Sequence, residues 1–212
     1  MNINTKGFTP LEARSKGAAG AERALPRAGF TLIEALVAVT ILTLATVGPL
    51  SSANTALVAA QSSRDKLTAS YLAQEGVEYV RAIRDNAYLD AYRTGGANVS
   101  DTAWANFLSS APSGIGICQG TNCSFDPTLP IGSGSTKALQ VCTGSCSPLY
   151  LSASTNGYYT QDSSAGTETI FTRTIQVSAT SPNEEKIVSK VSWDFHGTQH
   201  TVAVTETLTP WQ

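Results

Sequence analysis

One carboxylate stands alone in the apolar part of this 212-residue chain. Glu34 is the only charged side chain in the 21 residues from Phe30 to Leu50, where the other polar side chains are threonines. A helix of about 20 apolar residues is long enough to cross a bilayer. A carboxylate inside such a helix costs about 2.5–3.5 kcal/mol at the bilayer centre and less near an end, so Glu34 is a candidate functional group.

Four cysteines form a second group of reactive side chains, namely Cys118, Cys123, Cys142 and Cys146. In an extracytoplasmic domain cysteines normally pair as disulfides, and four of them allow three connectivities. The local bridges Cys118–Cys123 and Cys142–Cys146 are favoured, because each closes a turn that contains glycine. A pairing between the two clusters would instead tie a loop to the sheet. A four-thiolate zinc site is the remaining alternative, although the spacings differ from the paired C-x2-C of zinc ribbons.

The two histidines, His196 and His200, flank a predicted hairpin turn, and Asp194 is close to them in sequence. This arrangement indicates a solvated turn rather than a metal site or a general base. Neither a G-x-S-x-G elbow nor an H-E-x-x-H helix is present in the chain. The sequence therefore predicts no enzyme activity, no metal site and no cofactor.

Charge is distributed unevenly along the chain. The first 29 residues carry five basic and two acidic side chains, a net charge of +3, whereas the remainder carries nine and fourteen, a net charge of −5. A basic flank before an apolar helix keeps the N-terminus in the cytoplasm, which places everything after Leu50 across the membrane. The acidic remainder gives no electrostatic footprint for nucleic acid.

The residues at the start of the apolar run are Gly29, Phe30 and Glu34. In type and spacing they resemble the prepilin processing motif of type IV pilins and type II secretion pseudopilins. The resemblance implies that a prepilin peptidase cuts between Gly29 and Phe30 and methylates the new N-terminal Phe30. It also implies that Glu34 acts during filament assembly.

Two other processing events are conceivable. The segment 7–12 repeats the Gly, Phe and Glu of the motif at the same spacing, but it contains a proline and is followed by a polar stretch over 13–17. No membrane helix follows it, so this segment is not expected to be processed. Cleavage by an ordinary signal peptidase near Ala53 or Ala56 is the second alternative.

These features divide the chain into four parts. We expect a cytoplasmic leader peptide over 1–29 that is removed, a transmembrane and assembly helix over 30–50, an amphipathic continuation of this helix over 51–93, and an extracytoplasmic β-rich globular module over 94–212.

The long helix has two notable features. Gly48 and Pro49 predict a kink or local melting near the end of the apolar run, since proline removes a backbone hydrogen bond; a simple end of the membrane span is the alternative. Beyond them, apolar residues at steps of three and four predict an amphipathic helix that packs under the C-terminal sheet. Helix-ending and turn residues follow over 86–96, where Gly95 and Gly96 are the clearest predicted break. The stripe consists of Ala69, Leu72, Ala73, Gly76, Val80, Ile83 and Ala87.

The C-terminal module has the pattern of a small sheet. A short helix capped by Asp101 is predicted over 101–108, and a loop over 109–137. Strand patterns, three short and three long, follow at 138–142, 149–152, 158–161, 170–179, 187–195 and 201–208. In the first long strand, alternation predicts an inner face of Phe171, Ile175, Val177 and Ala179. Three long antiparallel strands over the end of a long helix give an α+β fold, the pilin-like roll that the resemblance implies.

The sequence thus predicts a structural subunit, a minor pilin resembling type IV pilus modification proteins. A type II secretion pseudopilin is the nearest alternative. An alternative from another class is a membrane-anchored binding module outside any filament, which would bind its ligand through the loop 109–137. A secreted enzyme is a third alternative.

The resemblance also implies partners and a location. The expected partners are other pilin or pseudopilin subunits, the prepilin peptidase, the inner-membrane assembly platform and, before assembly, the lipid bilayer. The precursor is expected in the inner membrane as a single-pass protein with its N-terminus in the cytoplasm. The mature subunit is then expected in a cell-surface pilus or a periplasm-spanning filament.

Overall fold

The computed structural model describes residues 29–111, 114–131, 138–154 and 157–210. The predicted leader, apart from Gly29, and the partial motif at 7–12 lie outside these ranges. The described residues form two α-helices, α1 (Leu32–Thr94) and α2 (Val99–Phe107), a 3-10 helix (Gly116–Cys118) and eight strands. A long N-terminal helix followed by antiparallel sheets places the chain in the α+β class, as predicted.

The chain divides into two units, Met1–Ser51 and Ser52–Gln212. The first unit is described from Gly29 onward, and all its described residues are exposed. Among the described helices, α1 alone is long and apolar enough to cross a membrane, with a window of mean hydropathy 1.9.

Threonines in the apolar run satisfy their hydroxyl groups within the helix. The Thr40 hydroxyl donates to the Val37 carbonyl at 2.8 Å, and the Thr43 hydroxyl donates to the Thr40 carbonyl at 2.9 Å. The Thr46 hydroxyl donates to the Leu42 carbonyl at 3.1 Å. Since hydrocarbon supplies no hydrogen-bond partners, this local bonding keeps the threonines compatible with a membrane segment.

Gly48 and Pro49 lie inside α1, and the helix continues through both residues. The local melting predicted there is not present. Pro49 still lacks the N–H group that would bond to the preceding turn. A kink at this point stays a prediction.

Helix α1 ends at Thr94, within the predicted helix-ending segment 86–96. Gly95 and Gly96 follow with φ angles of 74° and 148°, a region that favours glycine. The Gly95 N–H donates to the carbonyls of Ala91 and Tyr92 at 3.1 and 3.2 Å. This bond satisfies two of the carbonyl groups at the end of the helix. The predicted break at the two glycines is confirmed.

The strands form two antiparallel sheets. The larger sheet has the order β2-β1-β6-β7-β8, and the smaller one has the order β4-β3-β5. The strands are β1 (Cys123–Phe125), β2 (Leu139–Val141), β3 (Tyr150–Ser152), β4 (Tyr159–Thr160), β5 (Gly166–Glu168), β6 (Thr172–Ser181), β7 (Glu184–Phe195) and β8 (Thr198–Leu208). The three long strands predicted from the sequence are β6, β7 and β8.

A two-residue turn joins β7 to β8. His196 and Gly197 both have positive φ angles, 54° and 77°, as the tight turns preferred in hairpins require. The Gly197 N–H donates to Asp194 Oδ1 at 2.9 Å. Because this turn is so short, β8 begins at Thr198 rather than at the predicted Thr201.

The second half of α1 packs against the sheets through the predicted stripe. Every predicted stripe residue is buried, and Val77 and Ala91 extend the stripe. One buried cluster includes Val80 of α1 and Phe125 of β1, and a second includes Leu72 of α1 together with Trp193 of β7. The amphipathic interpretation of this part of the helix is confirmed.

Several local predictions were wrong. Helix α2 begins at Val99, so Asp101 is not its cap; Asn98 occupies the N-cap position without a capping side-chain hydrogen bond. The loop predicted over 109–137 contains the 3-10 helix and β1, and β5 was not predicted at all. These strands have three residues each, too few to show alternation, and pairing with distant strands defines them.

The inner face of β6 also differs from the prediction at its end. Ala179 is exposed, although alternation placed it beside Val177 on the inner face. Ala179 still pairs with Glu185 in the register of Val177 and Ile187, and the register of β6 with β7 shifts only after it, between Ala179 and Ser181.

Gly76 marks a close approach of α1 to β7. A Cβ atom at this position would collide with Ser189 Oγ and lie 3.0 Å from Ser189 Cβ. Alanine gains about 1 kcal/mol of helix propensity, whereas overpacking a core costs about 1–3 kcal/mol. We therefore expect Gly76→Ala to lower the free energy of unfolding, measured by urea denaturation of the full chain in detergent.

The control for this prediction is Ser189→Ala. Ser189 Oγ is buried and has no hydrogen-bond partner among the described residues, so its removal costs little. Adding Ser189→Ala to Gly76→Ala should recover part of the lost stability. A Gly76→Ala chain that is more stable than the wild type would contradict the close approach.

Candidate functional site

Helix α1 begins two residues after the predicted cleavage point. Gly29, Phe30 and Thr31 precede Leu32, the first helical residue. The Glu34 N–H donates to Thr31 Oγ1 at 3.3 Å, so Thr31 acts as the N-cap of the helix. Glu34, three residues later, occupies the acidic position of a capping box.

This position gives Glu34 a local role in addition to any role in assembly. The exposed N–H groups at a helix start carry a partial positive charge, which stabilises a carboxylate in the first turn. The sequence contained the signal, since Thr31 and Glu34 have the T-x-x-E spacing of a capping box, but our sequence analysis did not use it.

The surroundings of Glu34 are apolar and exposed. Phe30, Leu32 and Ile33 are 79%, 84% and 71% exposed. Contiguous exposed apolar surface of this kind is typical of a site that lipid or another protein covers. Gly29 has open space around it, because a Cβ atom built there meets nothing within 4 Å.

The comparisons with known proteins concern this same segment. Residues 26–48 match the family model of the prokaryotic N-terminal methylation motif. The match includes Gly29, Phe30 and Glu34 and the apolar start of α1. No curated protein and no solved structure matches the chain.

This match, on a chain of the α+β class, is consistent with a type IV pilin-like protein, a class in which we include the pseudopilins. Prepilin-type pilins are structural subunits rather than enzymes. The motif implies processing by a prepilin peptidase and assembly with other pilin subunits, and the apolar helix supports a membrane-anchored precursor.

The four cysteines lie away from this segment and form two disulfide pairs. The structure joins Cys118 to Cys123 and Cys142 to Cys146, with Cα–Cα distances of 5.5 and 5.0 Å. These are the two local pairs that the sequence favoured. The first pair is fully buried between the 3-10 helix and β1, whereas the second is partly exposed after β2.

The difference in burial predicts an order of reduction. Thiol–disulfide exchange requires access to the sulfur atoms. We expect native protein to take up no alkylating reagent, mild reductant to label Cys142 and Cys146 first, and Cys118 and Cys123 to react only on unfolding. Peptide mass spectrometry after each step measures this order. Four free thiols in the native, metal-replete protein would contradict both bridges.

The histidines form no site with other ligands among the described residues. His200 stacks on Trp193 with ring centroids 5.5 Å apart, and His196 lies in the β7–β8 turn. In the described part of the chain no three His, Cys, Asp or Glu side chains come together in a group that could hold a metal. The cysteines likewise form no four-thiolate zinc site.

A buried cation, not predicted from the sequence, lies between β6 and α1. Arg173 is 0% exposed on the inner face of β6, where its guanidinium pairs with Glu75 of α1. It also donates to the carbonyls of Leu72 and Phe125, both at 3.4 Å, and lies 3.7 Å from the centre of the Phe125 ring. Burial lowers the pKa of Arg173, and the charge of Glu75 opposes that shift. In the sequence Arg173 lies two residues from both Phe171 and Ile175, so strand alternation puts all three side chains on the same face of β6. This alternation was the sequence signal for the burial of Arg173.

Proposed function

We propose that this chain is a minor pilin of a type IV pilus, made as a membrane precursor. The match of residues 26–48 to the methylation motif, on a chain whose long apolar helix starts at Leu32, is the observation that carries the proposal. In this proposal residues 1–29 are the leader, 30–50 the membrane and assembly helix, 51–93 its amphipathic continuation and 94–212 the extracytoplasmic module.

Processing takes place at Gly29 in this proposal. The prepilin peptidase cuts between Gly29 and Phe30 and methylates the Phe30 amine. The open space around Gly29 supports this, since no described residue comes close enough to require a glycine there. A requirement for glycine at this position would therefore come from another protein.

Glu34 then acts in assembly. In the low-dielectric core of a filament its carboxylate pairs with the α-ammonium group of Phe30 on a neighbouring subunit. This attraction offsets the cost of removing both charges from water, and it fixes the register of the two helices. The exposure of Phe30, Leu32 and Ile33 supports a partner surface around this carboxylate.

The proposal favours a pilus over a secretion filament. The module contains two sheets, and a disulfide closes the turn that follows β2. These features suit a subunit displayed at the cell surface. The mature subunit is then located in a cell-surface pilus after extraction from the inner membrane by the assembly platform.

The location can be tested with an epitope-tagged full chain expressed in its host. We expect it in sheared surface filaments, and we expect this fraction to disappear when the pilus assembly motor is deleted. Dependence on the secretion motor instead would identify a type II secretion pseudopilin. Retention in the membrane of wild-type cells, unchanged by loss of either motor, would identify an anchored binding module.

A further inference from the structure

Strand β8 forms a long edge of the larger sheet. It is the last strand in the order β2-β1-β6-β7-β8, and it pairs with β7 along all 11 of its residues without a register shift. Natural sheets usually protect long edges with lysine, proline, a bulge or a covering element. The sequence of β8 contains no lysine and no proline, and no described strand lies beyond it. The opposite edge strand, β2, has only three residues.

The pairing of β8 with β7 determines which backbone groups of β8 face outward. Phe195 and Thr198 flank the two-residue turn, so they form a hydrogen-bonded pair between the two strands. Hydrogen-bonded pairs alternate with non-hydrogen-bonded pairs along an antiparallel ladder. The outward N–H and C=O groups therefore belong to every second residue, namely Gln199, Thr201, Ala203, Thr205 and Thr207. All of these residues are exposed.

The sequence of this edge matches itself in the antiparallel direction. Residues 201–205 are Thr, Val, Ala, Val and Thr, a palindrome centred on Ala203. When two copies of β8 pair about a two-fold axis at Ala203, each residue of the palindrome lies opposite a residue of the same type. Pairs of threonines and pairs of β-branched apolar residues are favourable neighbours across strands. A second copy of β8 therefore fits this edge.

The residues that flank the palindrome are complementary to each other. In this register His200 of one copy lies opposite Glu206 of the other copy, once at each end of the palindrome. An imidazole N–H can donate to a carboxylate. The guanidinium of Arg81 donates to Glu206 at 2.8 and 2.5 Å, and both bonds go to Oε1, which leaves Oε2 as an acceptor. His200 is positioned by stacking on Trp193, with ring centroids 5.5 Å apart.

Helix α1 leaves this edge accessible. Its close approach to the sheet, at Gly76, is on Ser189 of β7, one strand in from the edge. Neighbouring strands are about 4.8 Å apart, so in the paired molecules the two copies of β7 lie about 14 Å apart. Packed helices need only about 8–10 Å between their axes, so the two copies of α1 do not clash. Val202 and Val204, half-buried beside the cluster of Trp193, gain cover from the second copy.

We infer that β8 pairs with β8 of a second copy of this chain, antiparallel and centred on Ala203. The two-fold axis is perpendicular to the sheet, so it reverses the second half of α1 as well as β8. The contact therefore joins copies that are not parallel neighbours in one filament, and it does not depend on the proposed function. A single pair of strands buries less than the about 1,200–2,000 Å² of stable complexes, so we expect a weak, reversible dimer.

Cysteine cross-linking of the full chain in detergent tests the register. Gln199 of one copy lies opposite Thr207 of the other, with Cα atoms about 5.5 Å apart, which is within disulfide range. The native cysteines are already paired. Non-reducing gels should show a disulfide-linked dimer when Gln199→Cys and Thr207→Cys chains are mixed and oxidised.

The single variants are the matched controls. In a dimer of one variant the two new sulfurs are about 27 Å apart, eight residues at about 3.4 Å each, so either variant alone should give at least about tenfold less dimer. Ala203→Cys, which lies on the axis, should form the dimer without a second variant. Equal yields from the mixture and from each single variant, or no dimer from the mixture, would overturn the inference.

A charge on the axis provides the second test. Ala203→Lys is compatible with the fold because the residue is exposed, but it places two ammonium groups opposite each other in the dimer. In both cysteine chains it should lower the dimer yield at least about tenfold, whereas Ser178→Lys, at an exposed position of β6, should leave the yield unchanged. Ala203→Lys on one chain with Ala203→Glu on the other should restore the dimer. A yield that Ala203→Lys leaves unchanged, or that the Lys–Glu combination lowers equally, would overturn the inference.

Discussion

Glu34→Gln is expected to be cut after Gly29 as efficiently as the wild-type chain and to enter filaments at least about tenfold less often. The substitution removes the charge that pairs with the Phe30 ammonium group of a neighbouring subunit. A tenfold change corresponds to about 1.4 kcal/mol, and removing one partner of a buried ion pair costs about 3–5 kcal/mol because it leaves the other charge unpaired. Immunoblots of sheared filaments, normalised to the processed chain in the membrane, measure the effect.

The controls separate this charge from helix capping. Glutamine is compatible with the third position of a capping box, so Glu34→Gln keeps the local helix start. Thr31→Ala removes the cap hydrogen bond but leaves the carboxylate in place, and it should enter filaments at nearly the wild-type level. Normal incorporation of Glu34→Gln, or an equal defect in Thr31→Ala, would show that the charge pair is not essential.

The second large effect is expected at the buried ion pair. Glu75→Ala leaves Arg173 without its carboxylate, and loss of one partner from a fully buried pair costs about 3–5 kcal/mol. The Glu75 side chain is 43% exposed, so solvent screening reduces this cost. We expect a loss of about 2–3 kcal/mol in the free energy of unfolding, measured by urea denaturation of the full chain in detergent.

Arg173→Met provides the matched comparison. Methionine fills a similar volume without a charge, and such replacements of buried ions are often neutral or stabilising. Glu75→Ala should therefore cost little in the Arg173→Met background. An equal cost of Glu75→Ala in both backgrounds would mean that the carboxylate stabilises the fold without its pairing to Arg173.

Periodicity explains which parts of the fold could be predicted. The stripe from Ala69 to Ala87 repeats over several helical turns, and β6 to β8 are long enough to alternate, so both were readable from the sequence. The strands β1 and β5 have three residues each and depend on partners distant in sequence. The burial of Arg173 was not predicted, because only the apolar residues of the alternating pattern were assigned to one face of β6.

The candidate sites differ in the same way. Gly29, Phe30 and Glu34 lie within six consecutive residues, so their spacing was visible in the linear sequence. By contrast, the hydrogen bonds that Asp126 accepts from Thr160 and Gln161 join residues that only the folded sheets bring together, and no local pattern in the sequence indicates them.

The most direct measurement is the N-terminal mass of the mature protein from cells with and without prepilin peptidase. We predict a chain that begins at N-methylated Phe30 when the peptidase is present and an uncut precursor when it is absent. A functional protein that retains its first 29 residues would contradict the account, as would a mature chain that begins at Phe8 or near Ala53.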